Sequence, residues 1–443
     1  MTGTRVTPQA IKEFRALVPI WIASAVAIAA AVLSGPLNHE LGLIAYGFGS
    51  VTLGAQSIGH EYTGRTLTLL LSQPWSRRRL LLLKLAVLTV MLLTLAAFAW
   101  LILLKPGDQA WVFLSLLNGL CLAPLLTMAC RTPLAGIVFT GAAPFWIEAI
   151  GGYVSGRVLW GSTLTLFAAA AVVSWRQFMR LEDSDRRGSE VRVPRLFQRA
   201  PASGGVSTDS ARRRHPVWLL VKKELHLQQM TFAATGVCTV MWIAIAASTW
   251  IIPGFRGFPV HGVAILYGAL LALLIGSLAS AEERQLGTLA WQVLLPMAAW
   301  KQWAVKVGTA LGLAAVLSFA IPVVLAAGKV PVNAWAWHAG AVLLLATGSL
   351  YVSSLCRSGL RALTVSGPLL LIVSMLVLRA LTAYEENPGA RLTMPVAVAV
   401  ALLVWFAFEN HRTAAQRAGR VTAQVMWIAG SVALGLALVF AIG

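Results

Sequence analysis

Residues 61–74, EYTGRTLTLLLSQP, return 222 positions later as residues 283–296, ERQLGTLAWQVLLP. At that shift Glu61 aligns with Glu283, Thr66 with Thr288, Leu67 with Leu289 and Pro74 with Pro296. Farther along, Arg79 meets Lys301 and Lys84 meets Lys306. Cys130-Arg131 matches Cys356-Arg357 at a shift of 226, and Thr140-Gly141 meets Ser366-Gly367 at the same shift. Upstream, Lys12-Glu13 resembles Lys223-Glu224, while Trp100 and Trp111 bracket a turn that Trp335 and Trp337 mark in the other half. Each pairing is weak alone. Their common order is the signature of a duplicated unit.

The chain around these segments is strongly apolar. Hydrophobic residues are 58% of its 443, charged residues 12%, and the mean hydropathy is +0.77. So few charges cannot cover a water-soluble surface, whereas lipid accepts it. Runs of about 20 apolar residues cross the hydrocarbon core, and as helices they satisfy their own backbone hydrogen bonds. Six such spans are predicted in the first half, at 17–35, 41–58, 80–104, 111–130, 133–152 and 157–175. Six more follow at 230–252, 261–281, 304–327, 335–356, 362–381 and 392–409, with a thirteenth expected over 424–442. The first span lacks a small-residue cleavage site and is expected to be retained.

Charge sets the orientation. With the N-terminus in the cytoplasm, 29 of the 35 lysines and arginines fall on the inside, leaving Lys105, Arg157, Arg256, Lys329, Arg379 and Arg391 outside. This positive-inside bias explains the net charge of +19 through the anionic cytoplasmic leaflet, without a nucleic-acid partner. An even number of spans per copy makes the copies parallel, related by an axis along the membrane normal. The expected fold is an all-α polytopic membrane protein of two parallel six-helix repeats in a bacterial inner membrane.

The expected organisation is a first repeat over 1–181, a flexible cytoplasmic linker over 182–215, a second repeat over 216–410, and a basic segment with the extra helix over 411–443. Few apolar residues interrupt the linker, which carries Arg212, Arg213 and Arg214. Each copy opens on an amphipathic stretch. Ile11, Phe14 and Val18 share a stripe after Thr7-Pro8, as do Trp218, Val221 and Leu225 after His215-Pro216. Both are expected to lie flat in the cytoplasmic interface, the alternative being that they extend the next span. Cys121, Cys130, Cys238 and Cys356 fall in or beside spans without metal spacing and read as small packing residues.

The repeated segment joins the second and third spans of each copy on the cytoplasmic side. An apolar run such as Leu67 to Leu71 must bury against its own bundle or against a partner. Here the sequence resembles the permeases of ABC-2 type exporters, whose pattern runs approximately E-x-x-x-G-T-L, then L-L-S-x-P-x-S-R, then a lysine opening the third span. Glu283, Gly287, Thr288 and Leu289 carry the first part in the second copy. Glu61, Thr66 and Leu67 carry it in the first, where Arg65 replaces the glycine. Leu70 to Arg77 and Lys84 match the remainder. The second copy keeps Leu294, Leu295, Pro296 and Lys306 but has Ala298-Ala299 for Ser-Arg. The resemblance implies a membrane-spanning subunit whose loops, Glu61 to Pro74 and Glu283 to Pro296, dock on two cytoplasmic ATPase subunits. The glutamates would anchor that contact, and Leu67 and Leu289 would fill apolar pockets. One duplicated chain would supply the whole membrane part. ATP and magnesium would sit on the ATPases and no cofactor on this chain, which has no G-x-x-x-x-G-K-[ST].

Two other classes fit less well. An ion-coupled secondary transporter calls for ionisable groups inside the membrane. The carboxylates are expected in loops or near span ends, with Glu148 the nearest to a buried one. A membrane-embedded enzyme would need a constellation that the seven histidines do not form, since no H-x-x-x-H and no G-x-S-x-G occurs. Gly47, Gly49, Gly54, Gly268 and Gly276 read as close-packing positions, and an apolar lining between the copies suits an amphiphilic, lipid or drug-like substrate.

Overall fold

A computed structural model describes residues 6–33, 39–64, 66–71, 75–103, 109–141, 156–180, 216–251, 260–287, 297–326, 332–367, 388–413 and 418–442. Among the described residues the structure is helical and contains no strand. The linker, Pro74, Glu148, Thr288, Leu289 and Pro296 lie outside them. Among the described residues, six helices are long and apolar enough to cross a membrane: Pro8–Val32, Leu41–Thr63, Arg77–Leu103, Gln109–Cys130, Ala299–Leu325 and His338–Leu355. The protein is a helical membrane protein.

The chain forms two compact units. One comprises Met1–Glu190 with Val240–Phe258 and Leu371–Leu376, the other Val191–Thr239 with Pro259–Leu370 and Val377–Gly443. The first unit contains α1 (Val6–Leu33), α2 (His39–Thr63), the short α3 (Leu67–Leu71), α4 (Arg77–Leu103) and α5 (Gln109–Leu117). A π turn (Asn118–Leu122), α6 (Ala123–Cys130), α7 (133–141) and α8 (Gly156–Met179) follow. The second half contributes α9 (Pro216–Leu227), α10 (Gln229–Ile251), α11 (Val260–Leu286), α12 (Ala299–Leu313), a π turn (Ala314–Ala320) and α13 (Ile321–Leu325). Then come α14 (Val332–Leu355), α15 (359–367), α16 (Pro388–Arg412) and α17 (Ala418–Ile442).

One expectation is corrected in the first copy. The amphipathic stretch at Ile11 and Phe14 is not a separate helix but the opening turns of α1, which runs unbroken through Pro19. In the second copy α9 does stop, at Gln228, whose buried side chain donates to the Ile275 carbonyl (3.0 Å) and accepts from the Thr231 hydroxyl (2.7 Å).

Local chemistry explains the ends. Ser76 caps α4 through the Arg79 amide (3.4 Å), and Thr132 and Ser358, 226 residues apart, cap α7 and α15 through the amides of Ala135 and Arg361 (both 3.3 Å). Arg77 donates to the Met179 carbonyl (2.7 Å), satisfying a free acceptor at the end of α8. Gly287 ends α11 in the left-handed region (φ +72°), where a β-carbon would be strained. Both π turns precede a proline, Pro124 or Pro322, at the second residue of the next helix. Proline lacks the N–H that would bond the carbonyl four residues back. In the second unit that carbonyl belongs to Ser318, and His338 of α14 approaches it with Nε2 at 3.1 Å.

Glycines let α2 cross the π turn and α6 closely, and let α11 cross α14 in the same way. A β-carbon on Gly54 would lie 1.9 Å from the Gly119 carbonyl oxygen and 2.9 Å from Ala123 Cβ. On Gly276, 222 residues later, it would lie 1.9 Å from Oγ of Ser349, the residue 226 past Ala123. Small residues at such crossings let backbones meet where lipid offers no hydrophobic drive.

Candidate functional site

The charged residues aligned by the repeat converge in each unit. In the first, Lys84 of α4 donates to Glu13 of α1 at 2.7 Å, to Glu61 of α2 at 3.2 Å and to the Ser57 carbonyl at 3.4 Å. Lys12 reaches Glu61 at 3.1 Å. His60 Nε2 lies 3.1 Å from Glu61 and 3.5 Å from Glu13, while its Nδ1 lies 2.9 Å from the Gln56 carbonyl. Thr66, at the start of α3, donates its hydroxyl to the second oxygen of Glu61.

The second unit repeats this arrangement. Lys306 of α12 lies 2.7 Å from Glu283 of α11 and donates to Glu224 of α9 at 3.3 Å and to the Ala279 carbonyl at 2.8 Å. Lys223 pairs with Glu283. Even the backbone acceptors correspond, since Ser57 and Ala279 are 222 residues apart. Glu61, Glu283 and Lys306 are wholly buried, and Glu13, Lys84 and Glu224 nearly so. The buried carboxylates of the two clusters are Glu13, Glu61, Glu224 and Glu283, while Glu148, the nearest to a buried one in the sequence reading, lies outside the described residues. Sequence alone could not show this, because each pair is closed by residues on separate helices.

This geometry fixes the environment of the carboxyls. Burial pushes Glu224 up to about 7, against the pull of Lys306, with the charge of Glu283 adding to the rise. Burial also works against Glu283, but Lys306 and Lys223 hold it below the usual carboxylate range. His411 packs against Trp303 with the ring centroids 5.3 Å apart and the planes tilted by 35°, and burial lowers its pKa to about 4. Glu13, His60 and Glu61 bring possible ligand atoms within 4.8 Å of one another. The same oxygens already hold Lys84 and Lys12, so a metal ion would have to displace a lysine.

The repeated loop sits directly on the first cluster. Thr66 ties its start to Glu61, and Leu67 and Leu70 are buried against Leu80, with Tyr62 and Trp75 alongside. Leu69, between them, is 66% exposed. Glu61 and Leu67 thus turn to their own unit and Leu69 turns outward. In the second unit Glu283 is buried and Gly287 forms the helix stop. A further polar group was not legible in the sequence. Asn410 of α16 donates to Ser354 of α14 and Gln424 of α17, both at 3.2 Å, and Tyr351 donates to Gln424 at 3.2 Å. It ties the last helix to its unit. No protein-family model, curated protein or solved structure matches the chain.

Proposed function

We propose that the protein is the membrane-spanning permease of an ATP-binding-cassette exporter, with its ATP-hydrolysing subunits on separate chains. The observation that carries this reading is the recurrent ion cluster. In each unit it clamps the leading amphipathic stretch, the end of the second span and the start of the third around one buried lysine. In the first unit the repeated loop is bonded to that clamp through Thr66. A push on the loop is then delivered to three helices together rather than absorbed by a hinge. Such a rigid input is what a motor-driven switch between two packed states needs.

In this reading Leu69 meets the ATPase, while Glu61, Thr66 and Leu67 hold α3 in position and Glu283 with Gly287 does the same in the second copy. The thirteen predicted spans are read as two parallel six-span copies plus α17, in a bacterial inner membrane with the N-terminus inside. One chain would serve two ATPases, which would carry the ATP and magnesium. The ion-coupled alternative would draw on the same buried carboxylates, but these lie at helix ends and each cluster is matched by two lysines.

The test is a photocrosslinking amino acid at position 69 in cells, with Val90 on the exposed face of α4 as the control site. Capture at position 69, but not 90, of a protein containing a G-x-x-x-x-G-K-[ST] segment is expected. Capture of no such protein at 69, with the chain inserted normally, would end the proposal.

A further inference from the structure

The crossing of the second and fourth spans is built differently in the two units. In the second unit it is uninterrupted α-helix on both sides, and although the Ser280 hydroxyl is unpartnered there, the Ser353 hydroxyl is fully satisfied. Ser353 accepts from the amides of Ser280 (3.0 Å) and Ala281 (2.8 Å) and donates to the Ser277 carbonyl (2.8 Å). In the first unit the corresponding hydroxyl, Thr127, is fully buried without a hydrogen-bond partner. Asn118 is also fully buried, and neither its amide nitrogen nor its oxygen has a partner. Asn118 opens the π turn, where the residue 226 positions later is Leu344 in unbroken α14. Its neighbour Gly119 presses its carbonyl against Gly54.

A closed crossing that strands an amide inside a bilayer is unfavourable, because the group loses water and gains nothing in return. Asparagine is an unfavourable choice there unless its amide meets water or a ligand, and π turns are frequent at functional sites. We propose that this crossing is a hydration site within the membrane: the first unit opens between α2 and the π turn, and Asn118 at mid-span, with Thr127 nine residues nearer the cytoplasmic end, then binds water. The segment 109–130 carries no charged residue. The site therefore takes uncharged hydrogen-bonding groups rather than ions. If the export reading also holds, those are the amides and hydroxyls of an amphiphile in transit. Hydration itself does not depend on that reading.

The experiment uses the full chain in native membranes with Cys121, Cys130, Cys238 and Cys356 replaced by alanine. Asn118→Cys and the outward-facing Phe113→Cys are treated with a charged methanethiosulfonate, whose sulfur is attacked by a thiolate in contact with water, forming a mixed disulfide and releasing methanesulfinate. Asn118→Cys is expected to react at least an order of magnitude faster than Phe113→Cys. A thiol at 118 that stays unreactive until the protein is denatured overturns the proposal. Should Asn118→Cys fail to fold, the near-isosteric Ser115→Cys, one turn away and also buried, reports on the same crossing. Its reactivity supports the site and its silence refutes it. An ATPase partner would be found or missed by crosslinking at Leu69 independently of either result.

Discussion

Lys306→Met removes the buried cation around which the second cluster is assembled. Lys306 and Glu283 are both fully buried and 2.7 Å apart, and Glu224 stands 3.3 Å from the same nitrogen. The substitution leaves the two buried carboxylates with Lys223 as the remaining lysine of the cluster, 32% exposed and 3.9 Å from Glu224. Stranding a buried charge in this way costs about 3–5 kcal/mol. For a unit of this size that lowers the melting temperature by about 6–20 °C. The double variant Lys306→Met, Glu283→Met leaves Glu224 paired with Lys223, and apolar side chains of similar length fill the space. It should recover most of the loss, because the single variant suffers from an unpaired charge and not from a missing attraction. Lys84→Met should be milder, since Lys12 and His60 remain beside Glu61 and Glu13. Thermal unfolding of the purified protein in detergent, followed by circular dichroism, measures all three. A single variant melting within about 2 °C of wild type, or a double variant no better than the single, would refute the account of the cluster.

Leu67→Ala empties a buried contact with Leu70 and Leu80 and should cost about 2–4 kcal/mol in stability. Leu69→Ala should leave melting unchanged and weaken binding of the ATPase, read by co-purification. Gly54→Ala and Gly276→Ala each force a methyl to within 1.9 Å of a packed oxygen and should destabilise by about 1–3 kcal/mol, whereas Gly141→Ala meets nothing within 4 Å and should be neutral. The pH dependence has a definite sign. The Glu224 carboxyl lies at about 7 when folded against an ordinary 4.5, so between those values the folded state holds the extra proton. Its contribution is fully present below the lower value and is lost as pH rises through the upper one. Melting temperature should therefore fall between pH 5 and 8 through this group, and Glu224→Gln should flatten that slope in a pH series of melts.

The helical membrane class was written in the sequence, because the length of an apolar run and the placement of arginines are one-dimensional properties. Predicted segments such as 80–104 and 230–252 fall on α4 and α10 within a few residues for that reason. The repeat was equally visible, and it aligned Lys12-Glu13, Glu61 and Lys84 with Lys223-Glu224, Glu283 and Lys306. Their meeting was not. A buried ion pair is closed by residues 23 to 82 positions apart on three helices, and only packing decides which side chains face inward. The same holds at Leu67 and Leu69, neighbours of like chemistry that a five-residue helix turns to opposite environments. Asn118 read as one polar residue in an apolar run; the crossing with Gly54 is what buries it. Sequence determined which groups must leave water, and tertiary structure decided which of them find partners, because a hydrogen bond or ion pair depends on the distance between helices and not along the chain.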